Sequence, residues 1–261
     1  MPEPDRPQTK AATGLPKASG DARCTSVLDR GRVRICDHLI ISFNRSWQVE
    51  HEPDAPPASE FKSMAPLAFR DTDDKSDHYL AAIAAHDAYW LGFETEADKT
   101  FAVTIDIDGI NALTHQPGPS TKLQQSPPNH LLIPDQPWLD TLARPGGEFV
   151  QMIPHYGPNA DKPGAEVRVT VFSLAEGAII TPPPPDDPQP LYADNDAEQS
   201  ASPHLWTARA FQDVLDLPDP SGQITFHIVL PETFQRMTGQ TLDLKTFIDE
   251  GPPPEPFDPF Q

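Results

Sequence analysis

Short apolar runs broken by proline, glycine and acidic residues set the pattern of this chain, and most of them have the period or composition of strands. VRICDHLIISF, residues 33–43, places β-branched side chains at Val33, Ile35, Ile40 and Ile41 with brief polar interruptions, which predicts a first strand or a pair of bent strands. In YLAAIAAHDAYWLGF, residues 79–93, the alanines favour a helix, whereas Tyr89, Trp90, Leu91 and Phe93 favour a strand. With Asp87 as the turn between them, two strands are predicted. FAVTIDI, residues 101–107, is a strand closed by Asp108-Gly109, the favoured two-residue hairpin turn, with pairing resumed from Ile110 to Leu113. Further strands are expected at 130–133, 148–153 and 166–174. Near the end, QITFHIVL (223–230) reads as a buried strand, and Pro231-Glu232-Thr233 opens a short helix that Gly239 stops.

Composition sharpens this picture. The chain has 261 residues, 37% of them hydrophobic, and 33 prolines, each lacking a ladder donor. The core must therefore be gathered between proline-rich breaks. The expected fold is mainly β, a β-rich α+β protein: an antiparallel, sandwich-like core with proline-rich coil and a small C-terminal strand-helix appendage. Its expected divisions are a disordered basic tail over 1–31, a core over 32–180, an acidic proline-rich linker over 181–203, and a C-terminal strand-helix unit over 204–261 that packs on the core. Residues 50–60 are expected to form a loop. The linker contains four consecutive prolines, a stiff polyproline II spacer. In the tail, Phe257 and Phe260 are candidates to dock back onto the domain.

Charge and cysteine content limit partners and compartment. The formal net charge is −20, and it is uneven: the first 36 residues carry seven basic and four acidic side chains, leaving twelve basic and 35 acidic ones for the rest. Such a body repels nucleic acid and anionic headgroups, so neither nucleic acid nor membrane is an expected partner, whereas a basic protein is compatible with it. No apolar run approaches the eighteen residues a membrane span needs, and no charged n-region with an apolar h-region opens the chain. Cys24 and Cys36 could be bridged, but a two-cysteine chain without a secretory leader is expected to hold reduced thiols in a bacterial cytoplasm.

The residues AYWLGF (88–93), FAVTIDIDGINALT (101–114), PNHLLIPDQPWLD (128–140) and EFVQMIP (148–154) resemble, in the same order, the core of an uncharacterised bacterial protein family. Its members look like an aromatic strand ending in Trp-x-x-Phe, a strand running into Gly-x-Ile-Asn-Ala, a Pro-x-Gln-Pro-Trp-Leu-Asp-Gly corner and a Phe-Val-x-Met-Pro strand. The resemblance covers about 70 residues and is most specific at the corner from Pro134 to Asp140. Thr141 stands where the family usually has glycine, and HYGPNADKPGAEVRVTVF replaces its glutamine- and glycine-rich continuation. The family has no established activity, so the resemblance implies a shared core and no particular reaction.

Reactive motifs are missing. The sequence holds no GxGxxG, no GxxxxGKS, no HExxH, no GxSxG and no CxxC, which disfavours the common nucleotide, zinc-protease and α/β-hydrolase readings. Asp106 and Asp108 could share a strand face and have a spacing used for Ca²⁺ or Mg²⁺, but the EF-hand pattern fails and a solvated strand end with a turn-forming Asp108 is the favoured reading. Asp71, Asp73, Asp74 and Asp77 read as a charged loop, and Asp194, Asp196 and Glu198 lie in the linker. His86-Asp87 is the pair most like an acid/base couple, although sequence neighbours on a strand face opposite ways. His115 and His155 are isolated, and His227, inside an apolar strand, reads as a satisfied core residue. Among Trp47, Trp90, Trp138 and Trp206, Trp90 is expected inside. Trp138, braced by Pro134 and Pro137, is expected at a corner where it can be touched.

These residues favour a non-enzymatic protein-interaction or scaffold module with Gln136, Pro137, Trp138 and Asp140 as its contact residues. Another protein is the expected partner, and no catalytic residue, metal or cofactor is expected. The alternatives are a hydrolase or carbohydrate-active enzyme using paired carboxylates among Asp87, Asp106 and Asp140 in a β-sandwich cleft, and a structural component of a larger assembly.

Overall fold

In the computed structural model, which describes residues 24–47, 63–70, 77–96, 99–145, 149–155, 164–174 and 218–242, two sheets pack face to face. The first has the order β1 (Ser26–Asp29), β2 (Arg32–Ile35), β3 (Leu39–Trp47), β7 (Asp87–Thr95) and β11 (Trp138–Leu139), with β4 (Ser63–Met64) also pairing with β3. The second has the order β10 (Leu131–Ile133), β8 (Phe101–Ile107), β14 (Ala165–Ser173), β15 (Gly222–Val229), β6 (Asp77–Ala82) and β5 (Leu67–Phe69), with β9 (Ile110–Asn111) also pairing with β8. A separate ribbon joins β12 (Thr141–Ala143) to β13 (Phe149–Gln151). The β-rich, sandwich-like expectation is what the chain forms.

Period-two alternation decides what faces inward. Val33, Ile35, Leu39, Ile41 and Phe43 of the first sheet meet Val103, Ile105, Val167, Val169, Val171, Ile224 and Ile228 of the second in one fully buried core. Phe43 stacks on Tyr89 at 5.2 Å between ring centroids and reaches across the sandwich to Phe226 at 5.2 Å. Each such side chain stabilises the fold by about 1.5–3 kcal/mol through burial.

The second sheet is covered on its outer face as well, which is why its strands read as nearly continuous apolar runs. Phe234 of the helix α1 (Pro231–Thr238) packs with Ala68, Leu80, Ala82 and Val229. Leu123, from the long connection after β9, packs with Ala102, Leu132 and Phe172. Pro at the first turn and Gly239 at φ 70° bound the helix as expected. Gly239→Ala is expected to lower stability by about 1 kcal/mol, because a Cβ disfavours the left-handed cap; urea unfolding measures it.

Three expectations change. First, order begins earlier: β1 lies inside the stretch expected to be a disordered tail, paired with β2 through a two-residue turn in which Arg30 and Gly31 both have positive φ. Arginine in place of the usual Asn or Asp hides this hairpin in the sequence. Second, Cys24 and Cys36 form a disulfide and are not free thiols; the hairpin brings their Cα atoms to 4.7 Å. Third, the strand assigned to a C-terminal unit is internal to the second sheet, antiparallel to β14 on one side and parallel to β6 on the other. The strand is thus part of the sandwich itself, and the helix packs on its outer face. The predicted strands at 79–93 form as β6 and β7, and the Asp108-Gly109 turn joins Ile107 to Ile110 with φ 49° and 79°. The 50–60 loop, the 181–203 linker, Trp206 and the two tail phenylalanines lie outside the described residues.

Candidate functional site

The Pro134–Asp140 corner carries the chain from the edge of one sheet to the edge of the other. β10 is fully buried and pairs with β8, and its last residue precedes Pro134 through a cis peptide bond. Pro134 and Asp135 are exposed. The turn then closes on itself twice, because the Gln136 amide donates to the Leu132 carbonyl at 2.7 Å while Gln136 Oε1 accepts the Leu132 amide at 3.0 Å. The glutamine side chain therefore takes the place of a neighbouring strand beside β10. Gln136 is only 1% exposed. Gln136→Leu would leave a buried amide without its acceptor, and a loss of about 1–3 kcal/mol is expected in denaturant unfolding.

From there the Pro137 carbonyl accepts the Phe93 amide at 2.7 Å, and β11 adds to β7 with Trp138 opposite Gly92 and Leu139 opposite Leu91. Leu139 points into the shared core. Trp138 points the other way and is half-buried. Its neighbourhood on that outer face is fixed by Gly92, where a Cβ would come within 2.5 Å of Ser42 Oγ and 3.1 Å of Trp90 Cζ3. The absent side chain is what lets the Trp90 ring and Ser42 close over the strand. Asn44 Nδ2 donates to Ser42 Oγ at 2.9 Å, and the indole Nε1 of Trp90, a residue 8% exposed, is buried with no hydrogen-bond partner among the described residues.

Asp140 follows with 4% exposure. Burial pushes its carboxyl up to about 6, and hydrogen bonds from its own amide and from Thr141 only partly offset this. Its carbonyl accepts the Met152 amide at 3.3 Å, which ties the corner to the β12–β13 ribbon. Of the four residues singled out in the sequence, the fold thus exposes part of Pro137 and Trp138, and uses Gln136 and Asp140 as buried supports beneath them.

The carboxylates proposed for a cleft are dispersed. Asp106 lies on the outer face of the second sheet and accepts from the Ser120 amide at 2.8 Å and the Ser120 hydroxyl at 2.7 Å. Asp87 accepts from Arg45 Nη1 at 3.0 Å, in a pair with both side chains nearly buried. Desolvation pushes the Asp87 carboxyl up even against the opposing pull of Arg45. Asp140 sits at the opposite edge of the sheet from β1, next to β11. His86 is exposed on the turn before β7, so the His86-Asp87 couple is divided and Arg45 is the partner of the acid. Asp108 accepts the Glu166 amide at 2.9 Å, which accounts for its place at the strand end. Among the described residues, no three His, Cys, Asp or Glu side chains cluster as metal ligands.

One constellation was not legible in the sequence. His78 Nδ1 and His227 Nε2 lie 2.6 Å apart with stacked rings, on the outer face of the second sheet where β6 and β15 run parallel. Glu166 is the cross-strand neighbour of His227. Burial, then Arg70 and His78, lower His227 to about 4. Two residues 149 positions apart give no local signal, and only the sheet order joins them. Among the described residues no helix is long and apolar enough to cross a membrane. The chain matches no protein-family model, no curated protein and no solved structure.

Proposed function

We propose that this chain is a non-enzymatic interaction module whose contact surface is centred on Pro137 and Trp138. The observation that carries the reading is the double closure of the turn by Gln136, which holds a half-exposed indole at a sheet edge in one orientation before any partner arrives. A preorganised aromatic anchor of this kind contributes to binding with little loss of conformational entropy. The net charge of −20 favours a basic protein over nucleic acid as the partner. Kinship with the bacterial family that has the Pro-x-Gln-Pro-Trp-Leu-Asp corner, and a cytoplasmic location, belong to the same reading. In that location a disulfide is a transient or redox-sensing feature more often than a structural one.

The test compares the full chain with its Trp138→Ala variant as immobilised bait against host extract. At least a tenfold loss of one stoichiometric partner is expected, with an unchanged circular dichroism spectrum and thermal midpoint. Equal recovery of the same partner by both proteins would remove the corner from the interface.

A further inference from the structure

We propose that the Cys24–Cys36 disulfide is a redox-controlled strap that holds β1 over the seam between the two sheets, and that its reduction releases β1 while the sandwich stays folded. β1 is the edge strand of the first sheet, and its residues alternate between half-buried and exposed, with Val27 58% exposed. It adds only Leu28 to the margin of the core. What anchors it besides the ladder to β2 is a set of bonds to the other sheet: the Ser26 amide donates to Asp77 Oδ2 at 3.1 Å, Ser26 Oγ meets the Tyr79 hydroxyl, and the Cys24 amide donates to the Ser221 carbonyl at 2.8 Å.

The disulfide fixes the start of this strand where it touches the second sheet. A Cβ on Gly222 would come within 3.2 Å of Cys24 Cβ and 2.9 Å of Ile35 Cδ1, so the bridge rests on the first residue of β15. Both cysteines are half-buried and not fully enclosed, and the proposed reductant is a small or protein dithiol. One thiolate of the dithiol attacks one sulfur of the bridge, forming a mixed disulfide and releasing the other cysteine as a thiolate; the second thiolate then closes the dithiol's own disulfide and displaces the attacked cysteine. Two electrons and two protons pass to the protein, which gains two thiols as the dithiol becomes a disulfide. Without the covalent tie, the few polar bonds of β1 compete with water, and the outer edge of β2 is uncovered. Trp138 lies at the opposite edge of the same sheet, so this proposal does not depend on the docking reading.

Hydrogen exchange followed by mass spectrometry on the full chain, oxidised and then reduced with a thioredoxin-class dithiol protein, tests it. Protection over 24–38 is expected to fall at least tenfold, with β3, β7, β8 and β14 unchanged and full recovery on re-oxidation. The Cys24→Ser/Cys36→Ser variant should show the same local pattern without reductant. A bridge that survives the dithiol, unchanged protection after reduction, loss that spreads to β3 and β14, or a double variant that fails to fold would each overturn the proposal.

Discussion

Arg45→Met is expected to lower stability by about 3–5 kcal/mol, the cost of leaving a buried carboxylate without its counter-charge. The pair is enclosed, with 7% side-chain exposure for Arg45 and 12% for Asp87, and the contact is 3.0 Å. Because Asp87 is pushed up mainly by desolvation, Arg45 does not recover the full cost of bringing the acid inside. Two consequences separate this account from simple loss of packing. The penalty of Arg45→Met should shrink on acidification, as Asp87 becomes neutral. The double replacement Arg45→Met/Asp87→Leu should return to within about 1 kcal/mol of the parent, or exceed it, since two apolar side chains carry no desolvation cost. Urea unfolding of the four proteins of this cycle at neutral and acid pH measures both. Additive losses in the double variant would show that the two side chains are not energetically coupled.

Asp140→Asn is expected to raise stability at neutral pH by up to about 3 kcal/mol, since a shift from 3.8 to about 6 is worth about 1.4 kcal/mol per pH unit. The sign follows from proton counts. Between pH 4 and pH 6 the folded protein binds more protons at Asp140 than the unfolded chain does, so this group makes stability fall as pH rises through that window. Below about pH 4 both states are protonated and the variant gains nothing from charge. His227 acts in the opposite sense, because burial lowers it from 6.5 to about 4. There the unfolded chain binds more protons, so the stability tied to neutral His227 is complete above pH 6.5 and is lost as pH falls towards 4. In the parent protein the two slopes oppose each other over nearly the same range. Asp140→Asn should therefore make stability drop on acidification from pH 6.5 to 4 more steeply than in the parent, and His227→Gln should tilt the curve the other way. Thermal midpoints across pH 3.5–8 check this; parallel curves for all three proteins would mean that neither group is shifted.

The Asp140 result bears on the interaction reading directly. The acid sits two residues beyond Trp138 and is 4% exposed, so it supports the corner from beneath and does not offer its charge to a partner. If Asp140→Asn stabilises the chain without weakening the partner that Trp138→Ala loses, the contact is the indole and its proline. If it abolishes the partner at unchanged stability, the carboxylate takes part in recognition.

Much of the scaffold was determined by the sequence alone, and for local reasons. Alternation in VRVTVF, the two positive-φ positions of Asp108-Gly109 and the proline and glycine that bound α1 are short-range demands of backbone geometry, and each element forms where they predict it. Tertiary structure decided what depends on register and strand order. The period of two assigns Trp138 and Leu139 to opposite faces, but only their pairing with Gly92 and Leu91 sends the leucine into the core and the indole outward. Gln136 is singled out in the sequence by its place in the Pro134–Asp140 corner; that its side-chain oxygen accepts from a buried strand amide is something no local pattern reveals. The Arg45–Asp87 pair and the His78–His227 contact each join separate strands, and the Cys24–Cys36 bridge ties the two ends of the β1–β2 hairpin. The free energy that brings such groups together is the burial of the two apolar sheet faces, and it acts on the whole chain at once.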